Sequence, residues 1–383
     1  MDSGRVRFQV HRAQKLAASF LLIFLLQALW LVAHLPLTMA ETRNALAGRA
    51  LWSQHRLTSA RSTLIPGDSI LTLRCAGLLP SLAQSFSSHT GSFSIYAAPD
   101  RWLVRLPFVA FGLWLGGALW WVARRLFGDE GGYVSLGLYC VSAPALLTSV
   151  TADPAILAAW GLFGLIFTAI GVAHTLYAPP RKWRPRILLL GAAIGFTAAA
   201  NLSAAIAGLI VAFICMLYLA LGRRWVAIGL LAISSGIGAL VLLLLFGFNI
   251  GELSAAVMVP NAEYLRLTTH RISALLLVPG GLIEVVAFLS CLIVFIAWSR
   301  TRYFGNAVPL IVALLIPWWP GQFLPGASAV WALPFAFVFI GGIYADLLGI
   351  RFFAGRFRRL ITASALIVAG ASAIFSLMVT VGA

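Results

Sequence analysis

Two acidic residues of this sequence lie where a carboxylate could act on a substrate at a membrane surface. Glu41 follows the first long apolar segment, and Asp153 lies in the polar turn SVTADP at 149–154, between the third and fourth apolar segments. A carboxylate in such a place is able to take a proton from a hydroxyl group or to orient it for attack. Asp153 followed by Pro154 is also a common helix start, with Asp as capping residue and Pro in the first helical position. Both interpretations of Asp153 are open from the sequence.

Three more polar residues are possible site residues because of where they lie. Glu284 is about twelve residues inside an apolar segment, and an ionisable group at that depth is a functional hypothesis by default. The alternative is a neutral carboxylic acid that is hydrogen-bonded to a neighbouring helix. Asn201 lies at a predicted turn, and His34 lies near the outer end of the first apolar segment, where packing at the interface is its alternative role.

The composition places all of these residues in a protein that uses lipid as solvent. Of the 383 residues, 61% are hydrophobic and 10% are charged, and the mean hydropathy is +0.97. Soluble domains carry about 25% charged residues. Apolar runs of ~20 residues are long enough to span a bilayer as helices, whereas a β-barrel would show short alternating segments. The sequence therefore predicts an all-α polytopic membrane protein and excludes a cytosolic enzyme, a disordered chain and a collagen-like fibre.

We predict about eleven transmembrane helices. Their apolar segments are 17–36, 102–123, 133–150, 154–176, 187–200, 202–221, 225–247, 272–298, 307–319, 329–348 and 360–382.

Basic residues predict the orientation of the chain. The N-terminus and the loops on its side of the membrane hold 18 of the 27 Lys and Arg residues. This positive-inside pattern predicts a multi-pass protein, of a bacterial inner or plasma membrane, with a cytoplasmic N-terminus and an extracytoplasmic C-terminus. The basic residues that give the chain its net charge of +16 are then expected to contact anionic lipids and not nucleic acid.

The predicted domain organisation is simple. Residues 1–16 form a basic cytoplasmic N-terminus, and residues 17–382 form a single transmembrane domain. Residues 37–101 form a long extracytoplasmic loop, in which 42–53 and 69–86 read as short helices at the membrane interface. A surface loop without chemistry is the alternative. Residues 187–221 are predicted as a helix pair with an outer turn, and 248–271 as another outer loop.

Seven short stretches occur in an order that carries a family resemblance. They are MAETRNAL (39–46), RWLVRLPF (101–108), ARRLFG (123–128), TADPA (151–155), residues 191–203, EYLR (263–266) and WALP (331–334). Together they resemble the GT-C superfamily of membrane glycosyltransferases, in its protein O-mannosyltransferase and aminoarabinose-transferase branch. The motifs are degenerate: Ala40 stands where the family has its first-loop Asp, Asn44 replaces a Tyr, and Asn201 replaces a Lys.

The resemblance implies transfer of a sugar from a polyprenyl-phosphate-linked donor to an acceptor on the extracytoplasmic side. It implies that Glu41 is the base or the acid that orients the acceptor, with Asp153 beside it. Arg43, Arg266 and His270 are the implied contacts to the lipid phosphate, because cations stabilise a departing phosphate. No cofactor is expected, and no Cys or His spacing predicts a metal site, although a divalent metal is compatible with this chemistry.

Two other functions stay open. A catalytically degenerate GT-C-like protein that binds polyprenyl-phosphate lipid or a membrane partner is favoured by Ala40 and Asn201. A transporter is the third possibility, although the two halves of the sequence show no repeat of the kind common in transporters.

Overall fold

The computed structural model describes residues 3–53, 69–86, 98–177, 183–257, 280–318, 327–349 and 355–382, and regular structure within these ranges is helical. In chain order the helices are α1 (Ser3–His34), α2 (Met39–Ser53), α3 (Ile70–Phe86), α4 (Ala98–Val141), α5 (Ala143–Ser149), α6 (Pro154–Thr175), α7 (Arg184–Ala200), α8 (Leu202–Leu219), α9 (Arg224–Leu245), α10 (Ile250–Val257), α11 (Gly281–Ala297), α12 (Phe304–Leu315), α13 (Ala327–Leu348) and α14 (Gly355–Val381). Short 3₁₀ turns lie at Ser299–Thr301 and Ile316–Trp318.

The prediction of an all-α polytopic membrane protein is confirmed. Within the described ranges, seven helices are long and apolar enough to cross a membrane, namely α1, α4, α6, α8, α9, α13 and α14. The count differs from eleven for two reasons. Helix α4 contains two predicted segments, and α7, α11 and α12 each have fewer than 18 residues. Each predicted apolar segment nevertheless lies on a helix over at least part of its length.

Helix α4 is a hairpin because its backbone reverses at Gly128. The φ of Gly128 is 84°, a value that suits glycine better than residues with a Cβ. The two arms run antiparallel, since the Tyr139 hydroxyl of the second arm donates to the Gly112 carbonyl of the first at 2.7 Å. The second arm ends at Val141, because Pro144 has no amide hydrogen to continue the helix. Helix α5 then leads into the turn at 151–153 that carries Asp153.

The helix ends form two groups. At the first, which we call the basic end, Phe127 lies beside Tyr303, and Arg223 donates to the Leu176 carbonyl. At the second, the site end, Trp30 of α1 donates to the Thr380 carbonyl of α14 at 2.8 Å. The paired Arg residues after α8 and in the α4 hairpin lie at the basic end, so the alternation seen in the sequence corresponds to two real faces of the bundle.

The centre of the bundle is formed by α13, which packs along α4, α6 and α12. Phe337 lies against Tyr139 of α4, and Phe335 lies against Phe163 of α6, at ring distances of 6.4 and 5.3 Å. Close-packed interiors tolerate little displacement. This core therefore holds α4 and α6, the two helices that flank the turn at 151–153, in a fixed relation.

Helices α2 and α3 occupy the two places predicted for short helices in the first long loop. They cross at Gly48 and Gly77, where a Cβ on Gly48 would overlap the Leu73 carbonyl and lie 2.7 Å from the Gly77 amide nitrogen. The Trp52 indole also donates to the Arg74 carbonyl at 2.9 Å. The pair is thus a fixed layer over the site end and is built on backbone contact between two glycines.

Gly48→Ala is expected to destabilise the protein because the added methyl group would force α2 and α3 apart. Overpacking of this kind costs about 1–3 kcal/mol. Gly117→Ala is the matched control, since an added Cβ at Gly117 has no neighbour within 4 Å, and its effect is expected within about 1 kcal/mol of zero. Thermal unfolding of both variants in one detergent measures the difference, and equal melting temperatures would contradict the close crossing.

Candidate functional site

The candidate site is built on a buried ion pair between Glu41 of α2 and Arg105 of α4. Arg105 Nε donates to Glu41 Oε1 at 2.8 Å, and Arg105 Nη2 donates to Oε2 at 2.7 Å. The two residues are 2% and 1% exposed, so the charges are sheltered from solvent. Arg105 also donates to the carbonyls of Leu35 and Pro36, each at 2.8 Å. The guanidinium therefore ties α4 to the turn that joins α1 and α2.

Local sequence explains why Glu41 faces this way. Thr38 precedes α2, its hydroxyl accepts from the Glu41 amide at 3.2 Å, and its own amide donates to Glu41 Oε2 at 2.8 Å. This reciprocal arrangement is a capping box, with Thr as the cap and Glu three residues later. The first turn of α2 thereby fixes the Glu41 side chain before Arg105 contacts it.

A fourth donor joins the site to the turn before α6. The Ala152 amide donates to Glu41 Oε1 at 3.0 Å, and the Ala152 carbonyl accepts from the Asn44 side chain at 2.9 Å. Both backbone groups of the residue before Asp153 are therefore held by α2. We call Glu41, Asn44, Arg105 and Ala152 the clamp.

Asp153 caps α6, which is one of the two roles that the sequence left open. Its Oδ1 accepts from the Ala155 amide at 2.8 Å, which caps α6, and its Oδ2 accepts from the Thr151 hydroxyl at 3.0 Å. Burial raises the pKa of Asp153 from 3.8 to about 6; the bonds from Ala155 and Thr151 oppose the rise, and the charge of Glu41 adds to it. A carboxylate of this pKa is ionised near neutral pH and is basic enough to accept a proton.

The two carboxylates are shifted in opposite directions. Burial by itself would raise the pKa of Glu41, but the hydrogen bonds and charge of Arg105 and the amides of Thr38 and Ala152 outweigh it and lower the pKa. Each Glu41 oxygen already accepts from two donors. In this arrangement Glu41 links α2 to α4 and to the turn before α6, and Asp153 is the carboxylate with the raised pKa.

Three of the other predicted residues, Arg43, Asn201 and His34, lie on α2, at the start of α8 and at the end of α1. Arg43 is half-buried on α2, two residues after Glu41. Asn201 caps α8, with its Oδ1 accepting from the Ala204 amide at 3.0 Å. His34 is exposed at the end of α1 and stacks on Trp30 at 4.1 Å. Arg266 and His270 lie outside the described residues.

Glu284 is buried and lies in the first turn of α11. The predicted apolar segment 272–298 is described from Gly280 onward, so Glu284 lies near the start of its described part. No group of three or more His, Cys, Asp or Glu side chains that could hold a metal occurs in the described part of the chain.

Arg105, Thr38 and Asn44 are the site residues that sequence reasoning did not single out. Two signals were present. The stretch TMAE at 38–41 fits a capping box, and an arginine four residues inside an apolar segment needs a buried acceptor. The pairing of Asn44 with Ala152 spans 108 residues and has no local signal.

Solved structures provide the comparison with known proteins. ArnT from Cupriavidus metallidurans in the apo state aligns with 99% of this chain and 76% of its own, at a TM-score of 0.65 and 15% identity. The Archaeoglobus fulgidus oligosaccharyltransferase AglB, in complex with an inhibitory peptide and a dolichol-phosphate, aligns with 95% of this chain at a TM-score of 0.56 and 12% identity. The chain has a GT-C fold.

An A. fulgidus oligosaccharyltransferase tethered with an acceptor peptide gives a TM-score of 0.53, also at 12% identity. This chain spans 56% and 54% of the two archaeal chains, so it matches slightly more than half of their length. No protein-family model and no curated protein sequence matches it. The resemblance seen in the motifs is therefore confirmed at the level of the fold.

Arg105→Met is expected to lower stability by about 3–5 kcal/mol, because it leaves the Glu41 carboxylate buried without a counter-charge. The matched control is Arg124→Met, which removes an exposed ion pair with Asp129 and is expected to cost about 0–1 kcal/mol. The double variant E41Q/R105M should recover part of the loss. If the double variant is no more stable than Arg105→Met, the buried charge is not the cause.

Stability should also report the proton affinity of Asp153. A folded-state pKa of about 6 against 3.8 means that the folded protein binds the proton more tightly, so stability falls as pH rises from about 4 to about 6 and then levels off. Asp153→Asn keeps a capping residue and removes this dependence. Melting temperatures of wild type and variant across this range test it; parallel curves would refute the assignment. The lowered pKa of Glu41 acts in the opposite direction, at lower pH, in both proteins.

Proposed function

We propose that this protein is an integral membrane glycosyltransferase that moves a sugar from a polyprenyl-phosphate-linked donor to an acceptor on the extracytoplasmic side. The observation that carries the proposal is Asp153, a carboxylate with a raised pKa that is presented at the site end by the clamp. The GT-C fold supports the reaction class, and the dolichol-phosphate bound to AglB supports the kind of donor.

In the proposed reaction Asp153 takes the proton of the acceptor hydroxyl as that oxygen attacks the anomeric carbon. The bond from that carbon to the phosphate oxygen breaks, and the polyprenyl phosphate leaves as an anion. Arg43, Arg266 and His270 are proposed to stabilise the phosphate, since guanidinium and imidazolium groups donate charged hydrogen bonds. Glu41 and Arg105 are positioning residues that hold the backbone of Ala152 and thereby Asp153.

The proposed location is a bacterial inner or plasma membrane, with the N-terminus in the cytoplasm and the C-terminus outside. The grouping of Arg residues at the basic end supports this orientation through the positive-inside rule. The site end is then extracytoplasmic, and the basic end contacts anionic lipid headgroups.

A second candidate is a GT-C-like protein that binds polyprenyl-phosphate lipid without transferring a sugar. The observation that favours it is the saturation of Glu41, whose two oxygens already accept four hydrogen bonds, beside Ala40. Binding of polyprenyl phosphate without turnover of any polyprenyl-phosphate sugar would establish this candidate.

Asp153→Asn is expected to lower the rate of transfer by about a hundredfold or more, the usual contribution of a general base. Purified wild type and variant are incubated with a panel of polyprenyl-phosphate sugars, and release of polyprenyl phosphate is measured. The wild-type rate should rise through pH 6 as Asp153 loses its proton. Asp129→Asn at the basic end is the control and should match wild type.

Retention of wild-type rate in Asp153→Asn would remove Asp153 from the mechanism. Glu41→Gln gives the complementary test of positioning. It should lower the rate and keep a rise of rate with pH, now at a pH below 6, because the Glu41 charge that helps to raise the pKa of Asp153 is gone. If the rise of rate with pH disappears in Glu41→Gln and persists in Asp153→Asn, Glu41 is the base and Asp153 is the positioning residue.

A further inference from the structure

Glu284 has a buried carboxylate that the proposed reaction does not use. The residue is 5% exposed, and neither carboxylate oxygen has a hydrogen-bond partner among the described residues. An isolated carboxylate in an apolar interior is very costly unless its charge is compensated. Buried polar atoms that lack a partner in an otherwise well-packed protein indicate an unassigned water or ion.

The Ser142 hydroxyl interacts with this carboxylate without reaching hydrogen-bonding geometry. Ser142 is fully buried in the break between α4 and α5, where its Oγ accepts from the Ala145 amide at 3.2 Å. Because Pro144 lacks an amide hydrogen, the Cys140 carbonyl four residues earlier has no helical donor. The break therefore supplies oxygen atoms that ordinary helix geometry would have consumed.

A third oxygen comes from Ser372 of α14, which is 1% exposed and whose Oγ has no partner among the described residues. The register of α11 and α14 places it. Gly280 lies against Phe375, where an added Cβ would be 3.4 Å from the Phe375 Cβ. Further along α11, Cys291 lies near Tyr344, which is hydrogen-bonded to Ser364.

Tyr303, just after α11, donates to Asp346 near the end of α13, the helix that precedes α14, so α11 ends at the side of the bundle where α14 begins. The two helices are thus antiparallel, and four residues along α11 from Gly280 correspond to four residues back along α14 from Phe375, so Glu284 lies at about the level of residues 371 and 372. Helix α14 also packs against α5. Glu284, Ser142 and Ser372 consequently come from three helices that meet at one level of the bundle.

We infer that Glu284, Ser142 and Ser372 form a binding site for a small monovalent cation such as Na⁺. The side-chain atoms that would bind the ion are all oxygen atoms, which excludes the soft metals that favour thiolate or imidazole ligands. One carboxylate balances one positive charge, whereas a divalent ion would leave a buried excess charge. In secondary transporters, free carbonyl oxygens at a broken helix coordinate Na⁺.

The test measures thermal stability of the full chain in detergent at pH 8, by tryptophan fluorescence, while NaCl replaces N-methylglucamine chloride at constant ionic strength. The melting temperature of wild type should rise with Na⁺ and saturate, as expected for a ligand that binds the folded state. Glu284→Gln should show no response to Na⁺. Glu130→Gln, an exposed carboxylate at the basic end, is the control and should respond as wild type does.

Ser372→Ala keeps the site testable if Glu284→Gln does not fold. Loss of one oxygen ligand should raise the Na⁺ concentration at half-effect by about tenfold, which corresponds to about 1.4 kcal/mol. A wild-type melting temperature that is the same in Na⁺ and in N-methylglucamine would overturn the inference and leave Glu284 as a neutral acid. A Na⁺ response that is unchanged in Glu284→Gln, or in Ser372→Ala, would place the ion elsewhere. Neither result depends on glycosyl transfer.

Discussion

The site end of this protein depends on the buried ion pair between Glu41 and Arg105. Two charges removed from water are tolerated only when their geometry is good and their remaining hydrogen-bonding capacity is used. Here the guanidinium donates to both carboxylate oxygens and to the carbonyls of Leu35 and Pro36. Because these partners come from the α1–α2 turn, α2 and α4, the pair fixes three segments relative to one another.

Asp153 takes its position from the same pair. Its neighbour Ala152 donates to Glu41 and accepts from Asn44, so the backbone before Asp153 has little freedom. Arg105 and the amides of Thr38 and Ala152 lower the pKa of Glu41, whereas desolvation raises the pKa of Asp153, so the two values move apart. Two carboxylates of one site thus acquire different chemistry from their surroundings, the pattern that identifies acid and base roles in enzymes.

The GT-C fold and the proposed reaction rest on different grounds. Similarity to ArnT and AglB at 15% and 12% identity establishes the fold, whereas function has to be argued from the site. The family resemblance implied Glu41 as the base. In the proposed mechanism Asp153 takes that role, because the oxygens of Glu41 are already occupied by four donors.

The amino-acid sequence alone specifies the helices of this protein through the length of its apolar segments, the placement of its basic residues and its turn residues. Helix formation in lipid is largely local, because every backbone amide and carbonyl must find its hydrogen-bond partner within the same segment. The start of α6 at Pro154 and the capping box at 38–41 are written in adjacent residues. Tertiary structure alone decided that Arg105 pairs with Glu41 and that Asn44 meets Ala152, since these contacts join residues 64 and 108 positions apart. Tertiary structure also decided that Glu41, and not Asp153, has both carboxylate oxygens occupied by two hydrogen-bond donors each. Hydrogen-bond partners and burial arise when distant segments pack together, and no property of a residue's immediate neighbours specifies them.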